Sequence, residues 1–392
     1  MRISTKLLFV VSGIFINTAV FAQAGQLDST FNRGGKIITK SNGIAEADAI
    51  ATQRDGKVIA AGTLITNTDA KAMIVRFKKN GSIDKSFGNN GIDTFSICKG
   101  KAGSIKALAV SPDGKIVIVG NRTLDNPYKV ETVIFRLNKN GSLDSSFNNT
   151  GKEFIPEFAG TTGLALQPDG KIIINGIGIK QRLSSFLVAR FNVDGSFDTT
   201  FNHTGIVSAP SIYETFPYGM KLQADGKIVV CGIYKLTANN NRPPNYTGAI
   251  ARYNTNGTID SSFARNGFFY YPYKTFNDND IWLLSIGQQS GGKLVSCGTR
   301  RLLRVNESGD IDSSFGINGS ISGPAIALTV QSDDKVVVAG NILSNGANNF
   351  VMKRYTKDGS LDSNFGINKD GKTISPFDLH PGFATAVCVS AP

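Results

Sequence analysis

Beyond its first two dozen residues the chain has no apolar run long enough to cross a bilayer, which excludes a helical membrane span from the remainder. Histidine is almost absent. His203 and His380 stand far apart, with no His-x-x-x-His or Cys-x-x-Cys arrangement and no Gly-x-Ser-x-Gly turn to serve, so neither a metal site nor a nucleophile–base pair is expected. Four cysteines do not make a disulfide framework in 392 residues. Cys231 and Cys297 occupy the same place in two successive units, each just before a glycine and too far apart to bridge, so both are expected to be buried as small apolar residues. Cys98 and Cys388 lie in other contexts, where the sequence leaves their pairing open. No block of five or six lysines and arginines marks a nucleic-acid or membrane patch, and no stretch carries a long helical period. Without helix, metal cage or nucleotide loop, the expectation is against DNA-binding, metal-dependent and ATP-using roles, and no cofactor is expected.

What is present begins with a leader. Arg2 and Lys6, the apolar run Leu7 to Ile16 and the small-x-small Ala22-Gln23-Ala24 read as an export signal over residues 1–24, leaving a single domain from 25 to 392 in the periplasm or outside the cell. The whole chain has 42 Lys and Arg against 30 Asp and Glu; loss of Arg2 and Lys6 leaves 40 against 30, a net charge of +10. Such a balance attracts anionic partners without specificity and serves solubility equally well.

The rest of the chain is organised around one recurring stretch, seen at Gly195-Ser196-Phe197-Asp198-Thr199-Thr200-Phe201. Its Asp and Phe, three apart, recur at Asp28/Phe31, Asp84/Phe87, Asp144/Phe147, Asp198/Phe201, Asp260/Phe263, Asp312/Phe315 and Asp362/Phe365. Six intervals spread over 334 residues give a period of about 56, within the range of solenoids and propeller blades. Each interval holds four short segments rich in Val, Ile, Phe and Ala; in the first these are Ala47 to Gln53, Lys57 to Gly62, Ala72 to Lys78 and Gly91 to Ser96. Asp55-Gly56, Asp113-Gly114, Asp169-Gly170 and Asp225-Gly226 join the first two segments by tight hairpin turns, with Gly291-Gly292 and Asp333-Asp334 in the last two units. Asn-Gly, Asp-Gly or Ser-Gly joins the third segment to the fourth, and Asp-x-x-Phe follows at once, its Asp holding the bend and its Phe buried.

Four antiparallel strands repeated radially make the blade of a β-propeller. The expected fold is therefore all-β, with six complete blades of about 56 residues. A partial seventh is expected from the termini, because a fourth-type strand at Lys36 to Thr39 opens the mature chain and a first-type strand at Ala384 to Val389 closes it. The Pro-Asp-Gly-Lys turn, the Ala/Val-Arg-Phe/Tyr strand and the Asn/Asp-Gly-Ser-x-Asp-x-x-Phe-x-x-x-Gly segment together resemble the bacterial delta-60 repeat family over about residues 25 to 392. That resemblance implies an extracytoplasmic propeller and names no reaction.

Candidate chemistry divides into what recurs and what does not. Arg76, Arg136, Arg190, Arg252, Arg304 and Arg354 recur at one register in the third strand, which points to a part of the blade paired with its Asp rather than to a polyanion site. Lys57, Lys115, Lys171, Lys227, Lys293 and Lys335 recur after the first turn and are expected to be solvated. Asp194 and Asp198, like Asp358 and Asp362, have a faint calcium-loop spacing but too few acids, and read as turn residues. Glu46, Asp48, Glu153, Glu157, Glu214 and Asp280 do not recur, and would form any carboxylate pair for a carbohydrate hydrolase or lyase. The largest insertion, Tyr234 to Thr247, and the aromatic stretch that follows single out Tyr246, Tyr270, Tyr271, Tyr273 and Trp282 as contacts for a glycan or protein. An exported, monomeric, noncatalytic binding or scaffold module is the leading expectation, and a carboxylate-using carbohydrate enzyme the alternative.

Overall fold

The computed structural model describes residues 24–37, 43–100, 102–125, 128–180, 183–209, 214–235, 246–272, 281–344 and 347–375. Six sheets follow one another, each of four antiparallel strands whose order in space is their order in the chain. The first holds β1 (Ile44–Thr52), β2 (Val58–Ile65), β3 (Asp69–Phe77) and β4 (Ile92–Lys99). The second holds β5 (Gly103–Val110), β6 (Ile116–Asp125), β7 (Tyr128–Leu137) and β8 (Lys152–Ile155). The third holds β9 (Thr161–Leu166), β10 (Ile172–Lys180), β11 (Leu183–Phe191) and β12 (Ile206–Ser208). The fourth holds β13 (Thr215–Leu222), β14 (Ile228–Lys235), β15 (Tyr246–Tyr253) and β16 (Phe268–Tyr270). The fifth holds β17 (Leu283–Gln288), β18 (Leu294–Gly298), β19 (Arg301–Val305) and β20 (Ser320–Ser322). The sixth holds β21 (Ala327–Val330), β22 (Val336–Ser344), β23 (Ala347–Tyr355) and β24 (Lys372–Ser375).

The sheets are blades set in a ring, as the hairpin signals require. First strands pack in succession, β1 on β5, β5 on β9, β9 on β13, β13 on β17 and β17 on β21, and so form the inner wall. Alternate residues of every strand point to the two neighbouring blades, so the apolar core is a series of inter-blade layers rather than one centre. One layer joins Ile59 and Ile74 to Ile116 and Phe135; the next joins Val117 and Ile134 to Ile172 and Phe191. Phe87, Phe147, Phe201, Phe263 and Phe315 are all fully buried, as expected for the Asp-x-x-Phe segment. Cys231 and Cys297 are buried thiols, and burial pushes Cys231 up to about 12. Cys98 is buried as well, and Cys388 lies outside the described residues.

A second set of bonds joins the blades along the face that carries the turns. The residue after each Phe donates its N–H to a turn carbonyl of the next unit: Gly88 to Asn140, Asn148 to Asp194, Asn202 to Asn256, Ala264 to Ser308 and Gly316 to Asp358, at 2.6–2.9 Å. The N-terminal segment makes the same bonds, with Gly366 donating to Ala24 at 2.9 Å and Asn32 to Asn80 at 2.8 Å. Six blades are what the structure shows. Of the strands expected to begin a seventh, Lys36 and Ile37 are not in a sheet, and residues 38–39 and 384–389 lie outside the described part.

Candidate functional site

The ring has two unlike faces. On the turn face, each unit repeats one charge cluster. Arg76 Nε donates to Asp84 Oδ2 at 2.9 Å and its Nη1 donates to the Lys139 carbonyl of the next blade at 2.6 Å. The same pairs recur as Arg136–Asp144, Arg190–Asp198, Arg252–Asp260, Arg304–Asp312 and Arg354–Asp362, all at 2.6–2.8 Å. Each guanidinium also lies over the Phe of its own unit, 4.5–5.0 Å from the ring centre. The arginines are therefore parts of the joints, as their recurrence implied.

The turn lysines are not simply solvated, contrary to the expectation. Lys115, Lys171, Lys227 and Lys293 place Nζ 2.8–2.9 Å from the same carboxylates, and Lys57 and Lys335 lie at 3.3 and 3.5 Å. A buried carboxylate facing one arginine still has lone pairs to satisfy, and the lysine supplies the second cation. Asp194 is likewise occupied as a turn residue, accepting from the Ser196 N–H at 2.9 Å and hydroxyl at 2.7 Å. Among the described residues no three His, Cys, Asp or Glu side chains gather to hold a metal.

These clusters make the stability of the fold fall on acidification, because their carboxyls are held down only in the folded state. Burial pushes Asp84 up, but hydrogen bonds from Ser86 and Lys57 and the Arg76 charge outweigh it and hold the carboxyl at about 2. Asp144, Asp198, Asp260 and Asp312 are lowered further by the same balance. A carboxyl depressed in the folded state stabilises fully above its unfolded value near 4 and loses that contribution as pH falls through the folded value. The urea midpoint should therefore be constant above about pH 5 and fall progressively below about pH 4; a midpoint unchanged between about pH 5 and about pH 2 would contradict this.

Where the units differ is the opposite face, formed by the second-to-third and fourth-to-first connections. There the fourth blade carries aromatic groups. Tyr218 and Trp282 stack with ring centres 5.9 Å apart, and Tyr246 meets Trp282 edge-on at 6.4 Å and Phe216 at 6.1 Å. All four are half-buried, and the Glu214–Lys235 ion pair stands beside them at 2.5 Å. Burial and the neighbouring Tyr246 raise the Tyr218 hydroxyl above its ordinary value. The Trp282 indole nitrogen is buried with no hydrogen-bond partner among the described residues.

The structure thus brings together two of the expected contacts, Tyr246 and Trp282, and adds Phe216 and Tyr218, which sequence reasoning missed. Tyr218 sits on a β-bulge between Pro217 and Gly219, a device that re-aims a side chain out of strand alternation. The first, second and fifth inner strands are bulged at the same place, at Asp48, Lys106 and Leu284. This position changes character from blade to blade, a variation that could have been read from the repeats. Tyr270 and Tyr271 are elsewhere and on opposite sides of their blade. Tyr270 meets Tyr234 edge-on at 4.5 Å in the layer toward the third blade, whereas Tyr271 packs in the layer toward the fifth. Both line a cleft of about 470 Å³ with Arg265, Pro272 and Asp310. Tyr273 lies outside the described residues.

The described nonrecurring acids fall as two neighbouring pairs, Glu46 with Asp48 and Glu153 with Glu157, and Glu214 apart from them. Asp48 is raised by burial against the inner wall, opposed by a 3.0 Å hydrogen bond from Thr63 and the charge of Lys106. Glu46 is two residues away on the same strand, Glu153 is on the outer strand of the second blade with Glu157 beyond it, and Glu214 is paired with Lys235. Asp280 lies outside the described residues. One spacing was passed over in sequence: Gly366 to Thr373 has the pattern of a phosphate-binding loop, contrary to the expectation that none was present. Such a loop needs a helix after it, and Lys372 and Thr373 instead begin β24, with Lys372 Nζ 3.5 Å from Asp370.

Five segments, residues 53–87, 111–147, 167–201, 223–263 and 331–365, match a family described as a domain of unknown function (DUF5122) forming a β-propeller. No curated protein matches the sequence. Among solved structures the chain resembles Chaetomium thermophilum Sqt1, at 12% identity and TM-score 0.47, covering 81% of this chain and 83% of that one. The same protein bound to the N-terminus of ribosomal protein L10 is similar at 12% identity and TM-score 0.43, covering 80% and 86%. An α-L-arabinofuranosidase from Fusarium graminearum is similar at 13% identity and TM-score 0.46, covering 80% and 93%. The chain is a β-propeller repeat protein, five of whose units match that domain of unknown function.

Proposed function

We propose that this protein is an exported, monomeric, noncatalytic binding module with delta-60-type repeats, which holds a glycan or protein over the aromatic group of Phe216, Tyr218, Tyr246 and Trp282. That group carries the reading. Half-buried rings, those of Tyr218 and Tyr246 tipped with a hydroxyl, offer large apolar area beside an ion pair. They lie on the face where the units diverge, while the recurring arginines, lysines and aspartates of the other face are paired in the joints. The aromatic group lies in the fourth blade, whereas the neighbouring acids Glu46 with Asp48 and Glu153 with Glu157 lie in the first and second; this favours a binding role for that group over a carboxylate-pair hydrolase.

The test is binding of the chain beginning at Gly25 to arrays of bacterial glycans and peptides at low and moderate salt, in the form recovered from the exported fraction. Salt-resistant binding to one class is expected. Trp282→Ala or Tyr218→Ala should weaken it at least about ten-fold, as loss of an aromatic anchor does, with circular dichroism unchanged. Binding that vanishes with salt would leave only the +10 charge as its cause, and turnover of a glycan abolished by Asp48→Asn would replace this reading with the enzymatic one.

A further inference from the structure

Seven joints of one kind run round the turn face of a ring that shows six blades. Five link consecutive blades, and the last two run from Gly366 to Ala24 and from Asn32 to Asn80. The close Gly–Phe approach of each joint repeats there as well: a Cβ at Gly25 would stand 2.8 Å from the Phe365 ring and one at Gly81 3.1 Å from that of Phe31, as one at Gly141 would stand 3.0 Å from Phe87. Residues 24–37 thus stand on this face where a seventh unit would stand, between the sixth blade and the first.

The flanks on either side of that position are open. Met352 of the sixth blade, two residues before Arg354, is 39% exposed, while Ile74, Ile134, Val188, Ile250 and Leu302 at the same place in the other blades are 0–1% exposed. On the first blade Ile50 is 37% exposed, and Val58 and Ala60 are half-buried where Ile116 and Ile118 of the second blade are fully buried. A cleft of about 450 Å³ runs along this first-blade flank.

We infer that residues 384–389 of this same chain fill the opening as the inner strand of a seventh blade, independently of what the protein binds. Thr385-Ala386-Val387-Cys388-Val389-Ser390 falls in register with Lys106-Ala107-Leu108-Ala109-Val110-Ser111 of β5. Leu108 and Val110 pack back onto the preceding blade, which aims Val387 and Val389 at the open flank around Met352. The tether has the right length. Eight residues, 376–383, separate β24 from Ala384, and the other fourth-to-first connections range from three residues between Lys99 and Gly103 to twelve between Tyr270 and Leu283. Burying the two apolar flanks removes Met352 and Ile50 from water.

The experiment places a cysteine on the flank. In full-length protein carrying Met352→Cys and Cys388→Ala, maleimide labelling should be at least ten-fold slower than in the same protein with Val387→Asp added. With Met352→Cys, Val387→Cys and Cys388→Ala together, mild oxidation should give an intramolecular disulfide, read as a mass loss of two hydrogens; this decides the matter if Val387→Asp fails to fold. Labelling of Met352→Cys as fast as a fully exposed surface cysteine, with no cross-link, overturns the inference. Protection that disappears on dilution of a dimer also overturns it, by giving the flank to a second copy.

Discussion

Arg252→Ala is expected to lower stability by about 3 kcal/mol, read as a shift of the urea midpoint at unchanged slope. The side chain is buried, and its loss strands Asp260, uncovers the Glu307 carbonyl of the next blade and removes a cation 4.5 Å from the Phe263 ring. Lys227, 2.9 Å from Asp260, remains and keeps the loss at the low end for a broken buried pair. Lys227→Ala, on a side chain 29% exposed, should cost only about 0–1 kcal/mol. Arg252→Lys should recover little, because an ammonium cannot donate to the carboxylate and to the neighbouring carbonyl in one fixed plane. Equal, small losses from all three would mean that packing alone holds the blades together.

Phe201→Ala should cost about 3–5 kcal/mol, the usual range for emptying a fully buried phenylalanine site. The ring is wedged between Arg190, 4.8 Å from its centre, and Gly257 of the next blade. Gly257 has φ +87°, and a Cβ there would stand 2.9 Å from the ring, so the next blade has no side chain with which to close the void. Phe201→Leu keeps most of the volume and should cost under about 1.5 kcal/mol. Calorimetry of both variants checks this. If Phe201→Ala melts with the parent, the Asp-x-x-Phe segments are turn markers only, and the burial of their rings does not hold the ring of blades.

Strands and turns were legible because their signals are local and repeated: Asp-Gly at a hairpin and alternation in strands mean the same wherever they occur. Long-range partners were not. Lys115 meets Asp144, 29 residues away, and no spacing rule links a turn lysine to a carboxylate in a different hairpin. Tyr218 was missed because a bulge suspends the alternation by which side-chain direction is read. Tyr270 and Tyr271 were grouped because they are adjacent, yet adjacency in a strand sends side chains to opposite faces. The sixfold arginines were placed correctly for a physical reason: a group present in every unit is more economically explained by what every unit needs than by one ligand.

The uniform joint along the turn face also bears on how such a chain changes over generations. Each unit offers its neighbour a carbonyl, a glycine and a phenylalanine in fixed positions, without regard to which unit the neighbour is. A whole unit can therefore be duplicated or lost in frame with every seam still matched, while a single substitution at a seam disturbs two units together. Loops on the other face belong to one unit each, so novelty accumulates there by small steps and the size of the ring changes by whole ones.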